Sequence, residues 1–207
     1  MKYTIKDQNG NLINEFEIQD ILILPDILST NLTKFSKKVN AEIQKWYSQG
    51  FTKQYIFEGK QDLQKLLKLA DYENPAWIYE PVKEAKSDKR PDKYLLLYTK
   101  DIPQETKGKT PIELEKLFKE KDWKGMTIEE YLVIQRFEFK KRKDHSFDSY
   151  NYEISKSNWT YLLGSKTTGF VVQVCWFPEN RLVSLDSSAT DGSYSVLGAR
   201  PVVVIKL

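Results

Sequence analysis

Apolar and polar residues alternate through the carboxy-terminal part of the chain, which predicts a series of β-strands. In 169–177, one side carries Val172, Val174 and Trp176, and the other carries Gln173, Cys175 and Phe177. Successive side chains of a strand point to opposite faces of its sheet, so the apolar set is expected to face a core. The second set is chemically mixed and leads into a loop rich in Ser, Asp, Thr and Gly at 186–195. This pattern predicts a rigid apolar layer beneath a varied recognition face.

Alternation and helical spacing also predict elements in the first part of the chain. These are a hairpin formed by Met1–Asp7 and Leu12–Ile18, a helix within Thr30–Ser48, a strand at Gln54–Phe57, and a helix within Gln61–Leu69. The segment Asp20–Leu28 fits either a buried strand or a short helix, and Pro25 interrupts it. We expect this region to brace the rest of the molecule.

A change of composition divides the chain. Residues 80–93 are dense in Lys, Asp, Pro and Glu, which predicts a solvated connection. The apolar run Tyr94–Tyr98 follows as a buried strand, and two helices come next. Both helices begin with a capping box, Thr110-Pro-Ile-Glu113 and Thr127-Ile-Glu-Glu130. We therefore predict an α+β fold with an amino-terminal α/β extension at 1–90 and a domain at 91–207.

The order within 91–207 is strand, helix, helix, then antiparallel strands up to the carboxy-terminal end. In such a unit the first and last strands commonly pair. We therefore expect Tyr94–Thr99 to lie beside Pro201–Leu207, with the helices covering one face of the sheet.

Composition narrows the function classes. The chain has 207 residues, of which 40% are hydrophobic and 29% charged, as in an ordinary globular protein. Its net charge of +3 is too small to imply a nucleic-acid partner. Cys175 is the sole cysteine, so no intrachain disulfide can form. No signal peptide is visible, and the longest apolar run, Ile21–Leu24, is too short to span a bilayer. We expect a soluble, cytoplasmic protein without membrane insertion.

Catalytic and metal chemistry find little support. His145 is the only histidine, and it lies in a polar segment after a helix, where an ordinary solvated side chain or a contact with the helix end is expected. Asp186 and Asp191 could bind calcium, but the loop lacks the spacing of a known calcium motif. Arg200 is expected to satisfy backbone carbonyls or a loop carboxylate, so that replacing it would harm folding more than binding. We expect no catalytic residue, no metal and no cofactor.

Four stretches carry a family resemblance: Gly125–Arg136, Asn158–Gly164, Val174–Phe177 and Leu197–Pro201. In order and spacing they resemble the C-type-lectin-like fold, in the version used by formylglycine-generating enzymes and by the variable proteins of diversity-generating retroelements. The resemblance covers the domain at 91–207 and does not extend to 1–90. The enzymes depend on a pair of active-site cysteines, which a chain containing only Cys175 cannot supply, so an enzymatic function is disfavoured.

The resemblance to the retroelement proteins implies a fixed scaffold that displays variable side chains and binds a ligand, commonly another protein. Carried over by position, the display residues are Gln173, Cys175, Phe177, Asn180, Arg181, Ser184, Asp186, Ser187, Ser188, Asp191, Ser193 and Tyr194. Two alternatives remain open: a formylglycine-generating-type enzyme with altered chemistry, and an attachment protein of a phage or mobile element.

Overall fold

The computed structural model describes residues 2–6, 12–17, 36–59, 61–69, 76–142, 145, 147, 159–195 and 197–207. Its helices are α1 (Lys37–Tyr47), α2 (Leu63–Leu69), α3 (Pro111–Glu120) and α4 (Ile128–Arg142). Its strands are β1 (Lys2–Lys6), β2 (Leu12–Glu17), β3 (Lys53–Glu58), β4 (Trp77–Ile78), β5 (Lys86–Ser87), β6 (Lys93–Tyr98), β7 (Lys124–Gly125), β8 (Thr160–Thr167), β9 (Phe170–Phe177), β10 (Leu182–Ala189), β11 (Gly198–Ala199) and β12 (Pro201–Lys206). The predicted α+β class is confirmed.

One sheet joins the beginning of the predicted domain to its end. Strands β6 and β12 pair antiparallel, with Val202 opposite Tyr98 and Lys206 opposite Tyr94, so the expected pairing is confirmed. β3 extends this sheet on the β6 side and β7 extends it on the other, which gives the order β3-β6-β12-β7. Because β3 precedes residue 91, the region expected to brace the domain supplies one of the strands of this sheet.

The second sheet is built on the antiparallel strands β8, β9 and β10, in the order β11-β8-β9-β10-β4, with β5 also paired to β8. The strands β4 and β5 again come from residues before 91. The separate hairpin β1–β2 pairs antiparallel, as its alternation predicts.

Helix α4 lies at the centre of the larger core. Its residues Ile128, Tyr131 and Ile134 belong to one buried cluster with Tyr94 and Leu96 of the first sheet. The same cluster contains residues of the second sheet, namely Leu162, Val172, Val174, Trp176, Val183 and Leu185. The helix also buries the polar side chains of Glu130, Gln135 and Glu138, so its apolar residues do not form a single stripe.

Both predicted capping boxes form. Thr110 accepts from the Glu113 amide at 3.2 Å, while Glu113 accepts from the Thr110 amide at 2.8 Å. Thr127 and Glu130 exchange the same pair of hydrogen bonds, at 2.9 and 3.2 Å, inside the protein. The boxes satisfy amide groups that have no partner within the helix.

Two glycines allow the sheets to meet. The Gly164 amide of β8 donates to the Met126 carbonyl at 3.0 Å, directly after β7. A Cβ atom on Gly164 would lie 2.5 Å from the Gly125 carbonyl oxygen, and one on Gly125 would lie 2.4 Å from the Gly164 amide nitrogen. Such distances exclude a side chain at either position, so this close approach requires glycine.

The expectation of a solvated connection at 80–93 is wrong in part. This stretch contains a 3₁₀ helix at Glu80–Glu84, strand β5 and the buried Val82, and the Arg90 side chain is only 12% exposed. The polar sequence hides these contacts because Arg90 is buried through ion pairing and Val82 is an isolated apolar residue.

The other predicted helices and strands agree with the structure within its described range. Helix α1 begins after the cap residue Ser36, whose hydroxyl accepts from the Val39 amide, and the chain turns at Gly50 with a φ of 92°. The predicted strand at Gln54–Phe57 is β3, and the second predicted helix is α2. The ambiguous segment Asp20–Leu28 and the start of the helix predicted from Thr30 lie outside the described residues. No helix among the described residues is long and apolar enough to cross a membrane.

Candidate functional site

The predicted recognition face is not an open surface. The alternation of β9 is confirmed, because Val172, Val174 and Trp176 all face the larger core. The expectation that the opposite side faces solvent is wrong for four residues, all of which are buried: Gln173, Cys175, Ser184 and Ser188. On this side Tyr161 and Val171 belong to a second core cluster with Leu114 and Phe118 of α3. The second sheet is therefore covered on both faces, which alternation within one strand cannot reveal.

The remaining predicted display residues divide between the two ends of the β9–β10 hairpin. Phe177, Asn180 and Arg181 lie at its turn. The other group lies at the opposite end, and it consists of Asp186, Ser187, Asp191, Ser193 and Tyr194. The strands have 8 residues each, so about 25 Å separates the ends at roughly 3.3 Å per residue. The twelve predicted positions do not form one contiguous site.

Three chain segments meet at the end that carries Tyr194. The Thr190 amide donates to the Gly169 carbonyl in the β8–β9 turn, at 3.3 Å. The Thr190 carbonyl in turn accepts from the Ile112 amide at the start of α3, also at 3.3 Å. We call this region, formed by 110–112, 167–170 and 190–195, the loop end.

The loop end carries exposed apolar side chains. Ile112 is 57% exposed, Phe170 42% and Tyr194 55%. Two other large apolar side chains of comparable exposure occur in the described part of the chain, namely Trp77 and Tyr79, whose rings stack at 6.3 Å on the edge of the second sheet. Exposed apolar groups on adjoining segments are characteristic of interaction surfaces. The loop end combines three of them with the exposed predicted display residues Asp191 and Ser193, which favours it as the candidate for recognition. Ile112 and Phe170 were not among the predicted residues.

A row of polar side chains lies beside the loop end. Strand register places Tyr161 of β8 opposite Gln173 of β9, and Gln173 opposite Asp186 of β10. Ser188, two residues beyond Asp186, shares their face. Burial raises the pKa of the Tyr161 phenol; a hydrogen bond with the Ser188 hydroxyl partly opposes this rise and the Tyr194 phenol adds to it. We call these four residues the polar row.

A separate polar cleft of about 590 Å³ lies where β5 meets the start of α4. Arg90 on its wall donates to both oxygens of the buried Glu130, at 2.7 and 3.2 Å, and to the Gly125 carbonyl at 2.6 Å. The Tyr94 hydroxyl also donates to Glu130, at 3.0 Å, and burial together with this carboxylate raises the pKa of the phenol. Ser87 donates to Glu129 at 2.7 Å. These groups bind one another, so the network ties chain segments together.

Arg200 has the structural role that its sequence context predicts. It is 1% exposed, donates to the carbonyls of Thr99, Lys100 and Phe147, and lies over the Phe147 ring at 4.0 Å. His145 contacts the end of α4, as expected, because its ring stacks on Phe139 at 4.4 Å; it also stacks on Trp176 at 3.6 Å. Neither residue belongs to an open site.

The polar row depends on Tyr161 and the cleft network on Arg90, and sequence reasoning selected neither residue. Tyr161 lies opposite Gln173 only through strand register, and Arg90 reaches Glu130, 40 residues away in sequence, only through packing of the chain. Comparison with protein-family models, curated proteins and solved structures gives no significant match to this chain.

Proposed function

We propose that this protein is a recognition module that binds another protein through its loop end, without performing chemistry on it. The observation that carries the proposal is the convergence of Ile112, Phe170 and Tyr194, each more than two-fifths exposed, on segments joined by backbone hydrogen bonds. Aromatic side chains at the centre of an interface supply much of its binding energy, and polar groups around them give specificity. Ser193 and Asp191 are exposed beside these side chains and can serve as such polar groups.

The proposed scaffold is a C-type-lectin-like domain. The pairing of β6 with β12, and the order strand, helix, helix, antiparallel strands, support this proposal. In such a scaffold loops at one end vary while the sheets hold their shape. The proposed site keeps five of the predicted display residues, Asp186, Ser187, Asp191, Ser193 and Tyr194, and adds Phe170 and Ile112.

Selection from a random peptide library tests the proposal directly. Peptides displayed on phage would be selected on the immobilised protein, and the affinity of each would then be measured for wild type, Tyr194→Ala and Phe170→Ala. We expect both substitutions to weaken most selected peptides about tenfold or more, because truncating a central aromatic anchor commonly costs this much.

Trp77→Ala is the matched control, because Trp77 is a comparably exposed aromatic residue on a different surface. It should leave the affinities unchanged, and equal melting temperatures would establish that all three variants fold. Peptides that ignore Tyr194→Ala and Phe170→Ala, or that depend on Trp77, would place recognition elsewhere and end the proposal.

The retroelement origin is a separate proposal with a genetic test. We expect the neighbouring DNA to contain a reverse transcriptase gene and a near-copy of the last bases of the sequence that encodes this chain, with differences at adenines. A genomic neighbourhood without both would contradict this origin, while leaving the binding function open to the peptide experiment.

A further inference from the structure

The polar row contains hydrogen-bonding atoms whose partners are missing among the described residues. Tyr161 is fully buried, Ser188 is 5% exposed and Gln173 is 6% exposed. The Gln173 Oε1 atom has no hydrogen-bond partner in the described part of the protein, and the Tyr161 and Ser188 hydroxyls have none there apart from each other. Buried polar atoms in folded proteins are normally paired, so an unpaired acceptor beside two hydroxyls that have only each other indicates that another group completes them.

The fourth member of the polar row adds a negative charge. Asp186 accepts from the Ser187 amide at 2.7 Å through one carboxylate oxygen and forms no ion pair with any described cation. Asp191, exposed in the adjoining loop, likewise has no ion pair within the described ranges. Lys166, at the end of β8, is already bound to Glu115 at 2.5 Å. The polar row and its adjoining loop therefore carry two carboxylates without an ion pair among the described residues, on a chain of net charge +3.

Tyr194 places an aromatic ring at the edge of the polar row. It follows Gly192 in the loop that adjoins Ser188, where a Cβ atom added to the glycine would lie 3.7 Å from the Ser188 hydroxyl oxygen, and its ring is 55% exposed. A cation near an aromatic ring is attracted to the negative face of that ring. Carboxylates, unpaired acceptors and an aromatic ring are together the environment that a basic side chain requires.

We infer that the polar row takes an arginine side chain of the protein partner. This deepens the recognition function proposed above and rests on it. A guanidinium carries five N–H donors and no acceptor, so it can serve Gln173 Oε1, Asp186 and a hydroxyl at once. An apolar side chain would leave these acceptors unpaired, and a carboxylate would be repelled by Asp186.

The arginine approaches from the side of the polar row that carries Asp186 and Tyr194. Gln173 Oε1 and the two hydroxyls are shielded from solvent, and Gly192 packs over Ser188, where an added Cβ atom would lie 3.7 Å from the hydroxyl oxygen. Asp186 is partly exposed and Tyr194 is exposed, so they are the first groups that the arginine meets. Gln173 lies opposite Asp186 in the neighbouring strand, and its contact with the guanidinium requires the groups that cover it to shift.

Peptide libraries that differ in one group test this inference. One library of short peptides would carry arginine at a fixed central position. The other would carry citrulline, which has the same shape but no charge and replaces one nitrogen donor with an acceptor oxygen. We expect the arginine library to yield binders at least about tenfold tighter, because citrulline loses a charge-assisted hydrogen bond to Asp186.

Variants of the protein locate the effect. Asp186→Asn should remove most of the preference for arginine over citrulline, and Gln173→Met, which keeps the side-chain size, should reduce it further. Glu120→Gln is the control, since Glu120 is an exposed carboxylate at the other end of α3. Because Asp186 is partly exposed, its variant is expected to fold even if Gln173→Met does not.

The outcomes of this test separate the two proposals. Peptides that depend on Tyr194 and Phe170 but bind equally well with citrulline would overturn the arginine inference and leave the recognition function standing. An arginine preference unchanged by Asp186→Asn would also overturn it. Peptides independent of Tyr194 and Phe170 would remove the recognition function, and the arginine inference with it.

Discussion

At the scale of single residues, Arg200 joins parts of the chain that are far apart in sequence. Its guanidinium donates to carbonyl groups of Thr99, Lys100 and Phe147, and Phe147 also lies under the guanidinium plane. One side chain thus closes the end of β6 and fixes a residue beyond α4 against the start of β12.

We predict that Arg200→Met strongly destabilises the protein. The substitution keeps much of the buried volume but removes charge-assisted hydrogen bonds, so the free energy of unfolding should fall by about 3 kcal/mol or more. Urea denaturation followed by circular dichroism measures this change. Arg200→Lys, which keeps the charge but lacks the planar fork, should recover only part of the loss. A denaturation midpoint equal to that of wild type in the methionine variant would contradict the structural role.

The sequence predicted single residues well where one local pattern determined their place. The Gly-Ala-Arg-Pro context of Arg200 favoured backbone contacts, and the structure confirms them. Gln173 and Cys175 were assigned to the correct side of β9, but that side was expected to face solvent and is buried. Alternation along a strand does not show what packs on each of its sides. Tyr161 was not selected, since its importance depends on lying opposite Gln173 across two strands.

At the scale of elements, the segment 76–92 fastens the second sheet to α4. β4 pairs with β10, β5 pairs with β8, and Arg90 forms an ion pair with Glu130 in the first turn of α4. The capping boxes of α3 and α4 could be predicted because each lies within four consecutive residues. The two-residue strands β4 and β5 could not be predicted from the sequence. So short a stretch shows no alternation, and its strand conformation depends on the long strand beside it.

We predict a strong energetic coupling between Arg90 and Glu130. Glu130→Met should lower the free energy of unfolding by about 3–5 kcal/mol, because it leaves the buried guanidinium without its carboxylate. Arg90→Met should be similarly harmful, whereas the double variant should lose much less than the sum of the two. Chemical denaturation of the four proteins gives the coupling energy. Additive losses would show that the two side chains act independently.

At the scale of the whole molecule, buried tyrosines make the fold sensitive to alkali. Burial raises the pKa of Tyr55 to about 12, and the pKa values of Tyr94 and Tyr161 are raised as well. A tyrosine in the unfolded chain ionises near pH 10. The protonated phenols therefore stabilise the folded state fully below pH 10, and this contribution is lost as the pH rises through the folded values.

We predict that the free energy of unfolding stays level to about pH 9 and then falls steadily toward pH 12. Denaturation midpoints at a series of pH values measure this fall. Tyr55→Phe should make the fall less steep, because the phenylalanine cannot ionise in the unfolded chain. Tyr79→Phe is the control at an exposed position. A pH dependence identical in wild type and Tyr55→Phe would contradict the prediction.

The placement of β12 between β6 and β7 has a consequence for biosynthesis. The first sheet lacks β12, one of its two interior strands, until residue 206 has left the ribosome. Strands β3 and β6 are translated much earlier. Until then the nascent chain exposes the apolar edge of β6, a template for wrong pairing with other chains. The first sheet therefore cannot be completed before 201–206 are available, and ribosomes stalled shortly before the codons for 201–206 should carry protease-sensitive chains.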